Sequence, residues 1–111
     1  MQLFLQDLLI RFMRNAVVVE PLGVPSVRRA ITVTSASSNQ ALTSTCSRAS
    51  IVAIGADIRF EVSSSSATAT AASHLILEGE RLDIHLPATP NIAAIRNGSV
   101  NGTLEITELL N

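Results

Sequence analysis

The sequence predicts a mainly β protein, a single small antiparallel β-sandwich of jelly-roll or Ig-like kind, preceded by a short N-terminal arm that is helical or extended. Three observations carry this expectation. From Arg28 onward, short runs of aliphatic and β-branched residues recur about every ten positions with turn formers between them. The 111 residues are 47% apolar, which suits one domain burying about two-thirds of its unfolded surface. Aromatics are scarce, with Phe4, Phe12 and Phe60 and neither Trp nor Tyr, so the core must be built of Ile, Val, Leu and Ala.

The arm spans residues 1–27. In MQLFLQDLLIRFMRN the polar residues Gln2, Gln6, Asp7, Arg11, Arg14 and Asn15 recur with a helical period, and a strand reading fails at Leu3-Phe4-Leu5 and Leu8-Leu9-Ile10. The spacing predicts a helix over residues 3–14 whose apolar face carries Leu5, Leu8, Leu9, Phe12 and Met13, the candidate partner-binding residues. That helix either packs on its own domain or docks on a neighbouring subunit. Pro21, Gly23 and Pro25 then punctuate a linker. No basic residue precedes the apolar stretch and three charges interrupt it, so neither a signal peptide nor a membrane span is expected, and the product is expected in the cytoplasm.

The body, residues 28–111, contains seven expected strands: Ala30–Thr34, Arg48–Ile54, Asp57–Val62, His74–Glu78, Arg81–Leu86, Ile92–Arg96 and Thr103–Glu108. Gly79-Glu80 suits a two-residue hairpin loop that sets Glu78 opposite Arg81, Leu77 opposite Leu82, Leu75 opposite Ile84 and His74 opposite His85, with one face all aliphatic. Gly55-Ala56 suits a second hairpin, with Ile58, Phe60 and Val62 inward and Asp57, Arg59 and Glu61 outward. The turn Asn97–Gly102 joins the last two strands. The segment SSSSATATAAS, residues 63–73, has no long side chain and is expected as a surface loop, with a flat edge strand at 67–71 as the alternative.

Charge and composition exclude several functions. The net charge is −1, all eight cations are Arg, and only Arg28-Arg29 are adjacent, so no nucleic-acid surface is expected. Cys46 stands alone, which forbids an intrachain disulfide and reads as a small half-buried residue. No G-x-S-x-G elbow, EF-hand loop or Gly-rich phosphate cradle occurs, and the sequons at Asn97 and Asn101 are the kind that turns produce by chance. The one candidate metal site is the His74/His85 face of the first hairpin with Glu78 and Asp83. Two histidines fall short of the three protein ligands a catalytic zinc requires, so no cofactor, no metal and no enzymatic activity are expected.

Five segments in fixed order resemble small proteins encoded among the structural genes of tailed bacteriophages: Ile58-Arg59-Phe60, the Ala67–Ala72 loop, Leu75–Gly79, Ile92–Arg96 and Gly102–Leu109. The resemblance covers residues 28–110. The chain departs from the pattern at Glu78-Gly79-Glu80, where a Pro-Ala-Gly type of turn is more usual, and at Glu61, where Gly is frequent. The resemblance implies a virion component made in the host cytoplasm: a decoration or cement protein of the capsid shell that contacts the major capsid protein or other virion proteins as a homo-oligomer. Alternatives are a neck, tail or fibre accessory, or a glycan-binding module, for which the absence of Trp and Tyr is unfavourable.

Overall fold

The computed structural model describes residues 23–110, so the arm helix expected over residues 3–14, with Leu5, Leu8, Leu9, Phe12 and Met13, lies outside the described residues. Eight strands follow in order: β1 (Val24–Val33), β2 (Ser38–Ala41), β3 (Arg48–Ile54), β4 (Ile58–Ser63), β5 (His74–Ile76), β6 (Arg81–His85), β7 (Asn91–Arg96) and β8 (Gly102–Leu110). They form two four-stranded antiparallel sheets of order β1-β8-β3-β6 and β2-β7-β4-β5. Only the connection from β4 to β5 stays within a sheet; the others cross between sheets, which is the jelly-roll arrangement of two Greek keys.

Alternation within each strand builds the core. Ala49, Ile51 and Ala53 of β3 face inward with Leu104 and Ile106 of β8, and Ile58 and Phe60 of β4 face inward with Ile92 and Ala94 of β7. Ile51, Ile58, Ile76, Ile92, Leu104 and Ile106 are fully buried. Each such side chain contributes about 1.5–3 kcal/mol relative to exposure, and β-branched residues suit the pleated surface they occupy.

Both expected hairpins are absent. β5 pairs with β4 while β6 pairs with β3, so the two strands flanking Gly79-Glu80 lie in different sheets. β3 and β4, flanking Gly55-Ala56, are likewise in different sheets. The alternation itself is as read: Ile58 and Phe60 are inward, because a strand buries the same residues whether its neighbour is a hairpin partner or the facing sheet about 10 Å away. In β5 the facing is reversed. Ile76 is buried against Ile58, whereas Leu75 and Leu77 are exposed, a one-residue slip that moves every side chain to the other face.

Three further differences concern the ends of elements. β2, with the sequence SNQA, carries no apolar alternation and was not expected as a strand; it is an edge strand held by β7. β1 begins at Val24, inside the Pro/Gly segment. Pro25 is accommodated because β1 is at a sheet edge and its register shifts between Pro25 and Arg28. The Asn97–Gly102 turn joins β7 to β8 across the sheets.

Residues 64–73 form no strand, as the loop expectation requires, but they bury more than a plain surface loop. Ala93 has the outward parity of Glu61, its register partner, yet is 0% exposed. The loop lies over this face: the Ala67 N–H donates to Asn39 Oδ1 at 2.9 Å, and the Ala69 N–H to Ser37 Oγ at 2.8 Å. Ala69 and Ser73 are themselves buried. Small side chains let the backbone lie flat on the sheet as a strap.

Candidate functional site

The register defines two poles. Val24 pairs with Leu110 at the terminal pole, where the described chain begins and ends, and Val33 pairs with Gly102 at the far pole. The connections 34–37, 55–57, 77–80 and 97–101 all lie at the far pole, because every strand ending there turns toward the facing sheet.

At the far pole, Asp57 ties three of these connections together. Its Oδ1 accepts the Glu78 N–H at 2.8 Å, and its backbone carbonyl accepts the Asn97 N–H at 3.0 Å. The 77–80 segment is a tight turn in which the Glu80 N–H donates to the Leu77 carbonyl at 2.9 Å. Gly79 is the third residue of this turn, with φ +81°, a conformation that a side chain would strain. The turn is anchored to β3 through the Gly79 N–H, which donates to the Ala53 carbonyl at 2.7 Å. Gly102 is required for a different reason: a Cβ there would sit 2.7 Å from the Ile54 carbonyl oxygen and 3.1 Å from Ala56 Cβ.

Three of these connections, 55–57, 77–80 and 97–101, line a shallow cavity of about 230 Å³, with Gly55, Asp57, Glu78, Asn97, Ser99 and Val100 among its walls. Around it stand three exposed apolar side chains, Ile54 (48%), Leu77 (50%) and Val100 (60%). In the sequence Leu77 belongs to the aliphatic face of the expected hairpin, and no periodicity marks Ile54 or Val100 as exposed. The signal was present in their position one or two residues before a turn glycine, as Ile54-Gly55, Leu77 before Gly79 and Val100 before Gly102. An apolar residue in that setting sits at or beyond the last residue of a strand, past the covered part of the sheet.

The terminal pole is also apolar at its rim, where Val24, Val27 and Leu110 are exposed. A cavity of about 190 Å³ opens beside them, lined by Ser26, Val27, Thr43, Cys46 and Glu108 among others. The Glu108 carboxylate, 2% exposed, accepts the Arg29 Nε–H at 2.6 Å and the Thr43 N–H at 3.1 Å. Burial pushes this carboxyl up, but the hydrogen bonds from Thr43 and Arg29 and the Arg29 charge outweigh it and hold it below its ordinary value. Cys46 is half-buried, as expected, and its thiol donates to the Arg48 carbonyl at 3.1 Å.

The outer face of the β1-β8-β3-β6 sheet is polar. Arg28 grips Glu105 through two hydrogen bonds, at 2.8 and 2.5 Å, which raise the guanidinium and lower the carboxyl from their ordinary values. Arg81 donates to Ser50 Oγ at 2.7 Å. His85 lies on this face opposite Arg48, whereas His74 lies in the other sheet opposite Phe60, with its ring 5.5 Å from the phenyl centroid. The face-to-face His74/His85 pair of the expected hairpin therefore does not exist, because its two strands are not neighbours. Among the described residues no three His, Cys, Asp or Glu side chains are grouped to hold a metal ion.

What both poles offer chemically is apolar surface rimmed by hydrogen-bonding groups, a setting for contact with another macromolecule. No family model and no curated protein matches the chain. Among solved structures it is similar to the crystal structure of PirA, with a TM-score of 0.51 and 16% identity over 75% of this chain and 94% of that one. It is also similar to the plu4264 protein from Photorhabdus luminescens, with a TM-score of 0.47 and 9% identity over 84% of this chain and 71% of that one. At 16% identity, the likeness to PirA is one of fold.

Proposed function

We propose that this chain is a non-enzymatic structural protein of a tailed-phage particle, a decoration or cement protein of the capsid shell that binds the major capsid protein or another virion protein and acts as a homo-oligomer. One observation supports this reading above the others: the large apolar side chains exposed on the described body gather toward its two poles. Val24, Val27 and Leu110 mark one; Ile54, Leu77 and Val100 mark the other, with Leu75 one residue from the far-pole end of β5. The flanks between are polar or covered. A rigid body that is adhesive at both ends suits a lattice, where many weak contacts gain strength by repetition.

The sequence resemblance supports the same reading, as does the arm that joins the body at the terminal pole. Its apolar residues Leu5, Leu8, Leu9, Phe12 and Met13 are the proposed contact with the shell. Ordering such a segment costs conformational entropy that its apolar burial must offset.

Quantitative mass spectrometry of gradient-purified particles tests the assignment. Copies in simple proportion to the major shell protein support a place on the capsid lattice. A handful per particle moves the protein to neck, tail or fibre, and its absence from particles ends the virion reading. Deleting residues 1–15 is expected to weaken particle association while leaving the β-sandwich folded; undiminished binding by the truncated chain would refute the role of the arm.

A further inference from the structure

Among the described residues, every arginine but one has an acceptor within the chain. Arg28 and Arg29 donate to Glu105 and Glu108, Arg59 to Asn97 and the Ser73 carbonyl, Arg81 to Ser50, and Arg96 to Asn101. Arg48 is the exception, and its Nε is sealed from water without a hydrogen bond. A guanidinium does not give up its proton in a protein, so the charge of Arg48 persists and its enclosed N–H goes unsatisfied.

The register shows why the acids nearby do not serve it. Arg48 stands on the outer face of β3, between His85 of β6 and Leu109 of β8. Its guanidinium lies against Gly23 on the β8 side: a Cβ on Gly23 would sit 2.7 Å from Arg48 Nη2 and 3.5 Å from Leu109 Cβ. Asp83 of β6 is the register partner of Ser50, one outward pair further from the terminal pole, and makes no ion pair with Arg48. Glu108 of β8 faces inward, where Arg29 and Thr43 hold it. A cavity of about 100 Å³ is left open here, with Arg48, Asp83, Ile84, His85 and Leu109 among its walls.

We infer that this cavity receives a carboxylate, which accepts from the amino groups of the Arg48 guanidinium, since the sealed Nε is out of a ligand's reach. A planar carboxylate matches the guanidinium fork, and it supplies the counter-charge that the chain does not. The group belongs either to a small free acid or to an acidic side chain of a partner seated on the terminal pole. Gly23, against which Arg48 lies, and Leu109, its register partner, are the chain neighbours of Val24 and Leu110, two of the exposed apolar residues of that pole. Asp83 repels the same anion and limits its affinity.

Titration of the isotope-labelled full chain with sodium acetate, followed by amide NMR at constant ionic strength with sodium chloride as the balancing salt, tests the site. The amides of Arg48, Ala49, His85 and Leu109 are expected to shift saturably with acetate. Arg48→Met, which keeps an apolar stem, is expected to weaken acetate binding about tenfold. It is also expected to leave the thermal midpoint at or above that of wild type, because no internal acceptor loses its donor. Asp83→Asn is expected to tighten binding about threefold by removing a like charge.

Shifts that do not saturate, an Arg48→Met chain that binds acetate as wild type does, or an Asp83→Asn chain that binds it more weakly would each overturn the inference. So would a large fall in the thermal midpoint of Arg48→Met, which would mean that the guanidinium serves the fold. Binding of the same variants to purified shells names the source of the carboxylate: its loss in Arg48→Met places the group on the partner, and undiminished binding makes it a small free acid. The acetate titration reads the chain alone, so its failure removes this site and leaves the virion reading standing, whereas absence from particles removes that reading and leaves the site.

Discussion

Glu108 occupies a position where alternation calls for an apolar side chain, since Leu104, Ile106 and Glu108 share the inward face of β8. Arg29 has the same inward parity on β1, where it is the register partner of Ile106, and meets the carboxylate at the end of the core. The folded-state carboxyl is held below its ordinary value of 4.5, so its contribution to stability is complete above that value and fades as pH falls through the folded pKa. Glu108→Gln should remove this part of the acid dependence; the part due to Glu105, lowered by its hydrogen bond from Arg28, should remain. Urea midpoints measured from neutral pH down to about pH 3 check this: the variant should lose less stability on acidification than wild type. Glu108→Ala at neutral pH should cost about 2 kcal/mol, because it leaves the Arg29 Nε–H and the Thr43 N–H without their acceptor.

At the scale of elements, strands were legible in this sequence and their partners were not. Runs such as Arg48–Ile54 and Ile92–Arg96 announce themselves by β-branched composition and alternation, which depend only on the local pleat. Pairing depends on where a short connection sends the chain, and residues 55–57 can close a hairpin or step to the facing sheet with the same side chains buried. β2 was invisible for the opposite reason. Its four residues are fixed by their neighbours rather than by their own pattern: Asn39 Nδ2 donates to Asn91 Oδ1 at 2.9 Å while Oδ1 receives the Ala67 N–H of the strap. Asn39 therefore joins β2, β7 and the strap. Asn39→Ala should release the strap without unfolding the sandwich, at a cost of about 1 kcal/mol. Hydrogen exchange is the measurement: the Ala67 amide should lose protection while those of Ile51 and Ile106 keep theirs. Equal loss across the chain would mean that the strap is part of the cooperative core.

For the molecule as a whole, the jelly roll turns a chain of local strands into a set of distant pairings, and that topology sets how it must fold. Val24 lies opposite Leu110, 86 positions later, and β8 is also the neighbour of β3, so one sheet cannot form until the two ends of the body meet. Closing such loops costs entropy before any contact compensates for it, and folds dominated by non-local pairing refold in about milliseconds to seconds. Stopped-flow refolding of the full chain should fall in that range. The same topology predicts which side chains govern the rate. Ile106 stands at the centre of β1-β8-β3, opposite Arg29 on one side and Ile51 on the other, and is fully buried. Ile106→Ala should cost about 2–5 kcal/mol and slow refolding, because the transition state must already hold β8 between its partners. Leu77→Ala, on the exposed turn of the far pole, should leave both refolding and unfolding rates nearly unchanged. Were Ile106→Ala to act only on the unfolding rate, folding would begin in the β2-β7-β4-β5 sheet, whose pairs β4–β5 and β4–β7 are closer in sequence, and β8 would close last.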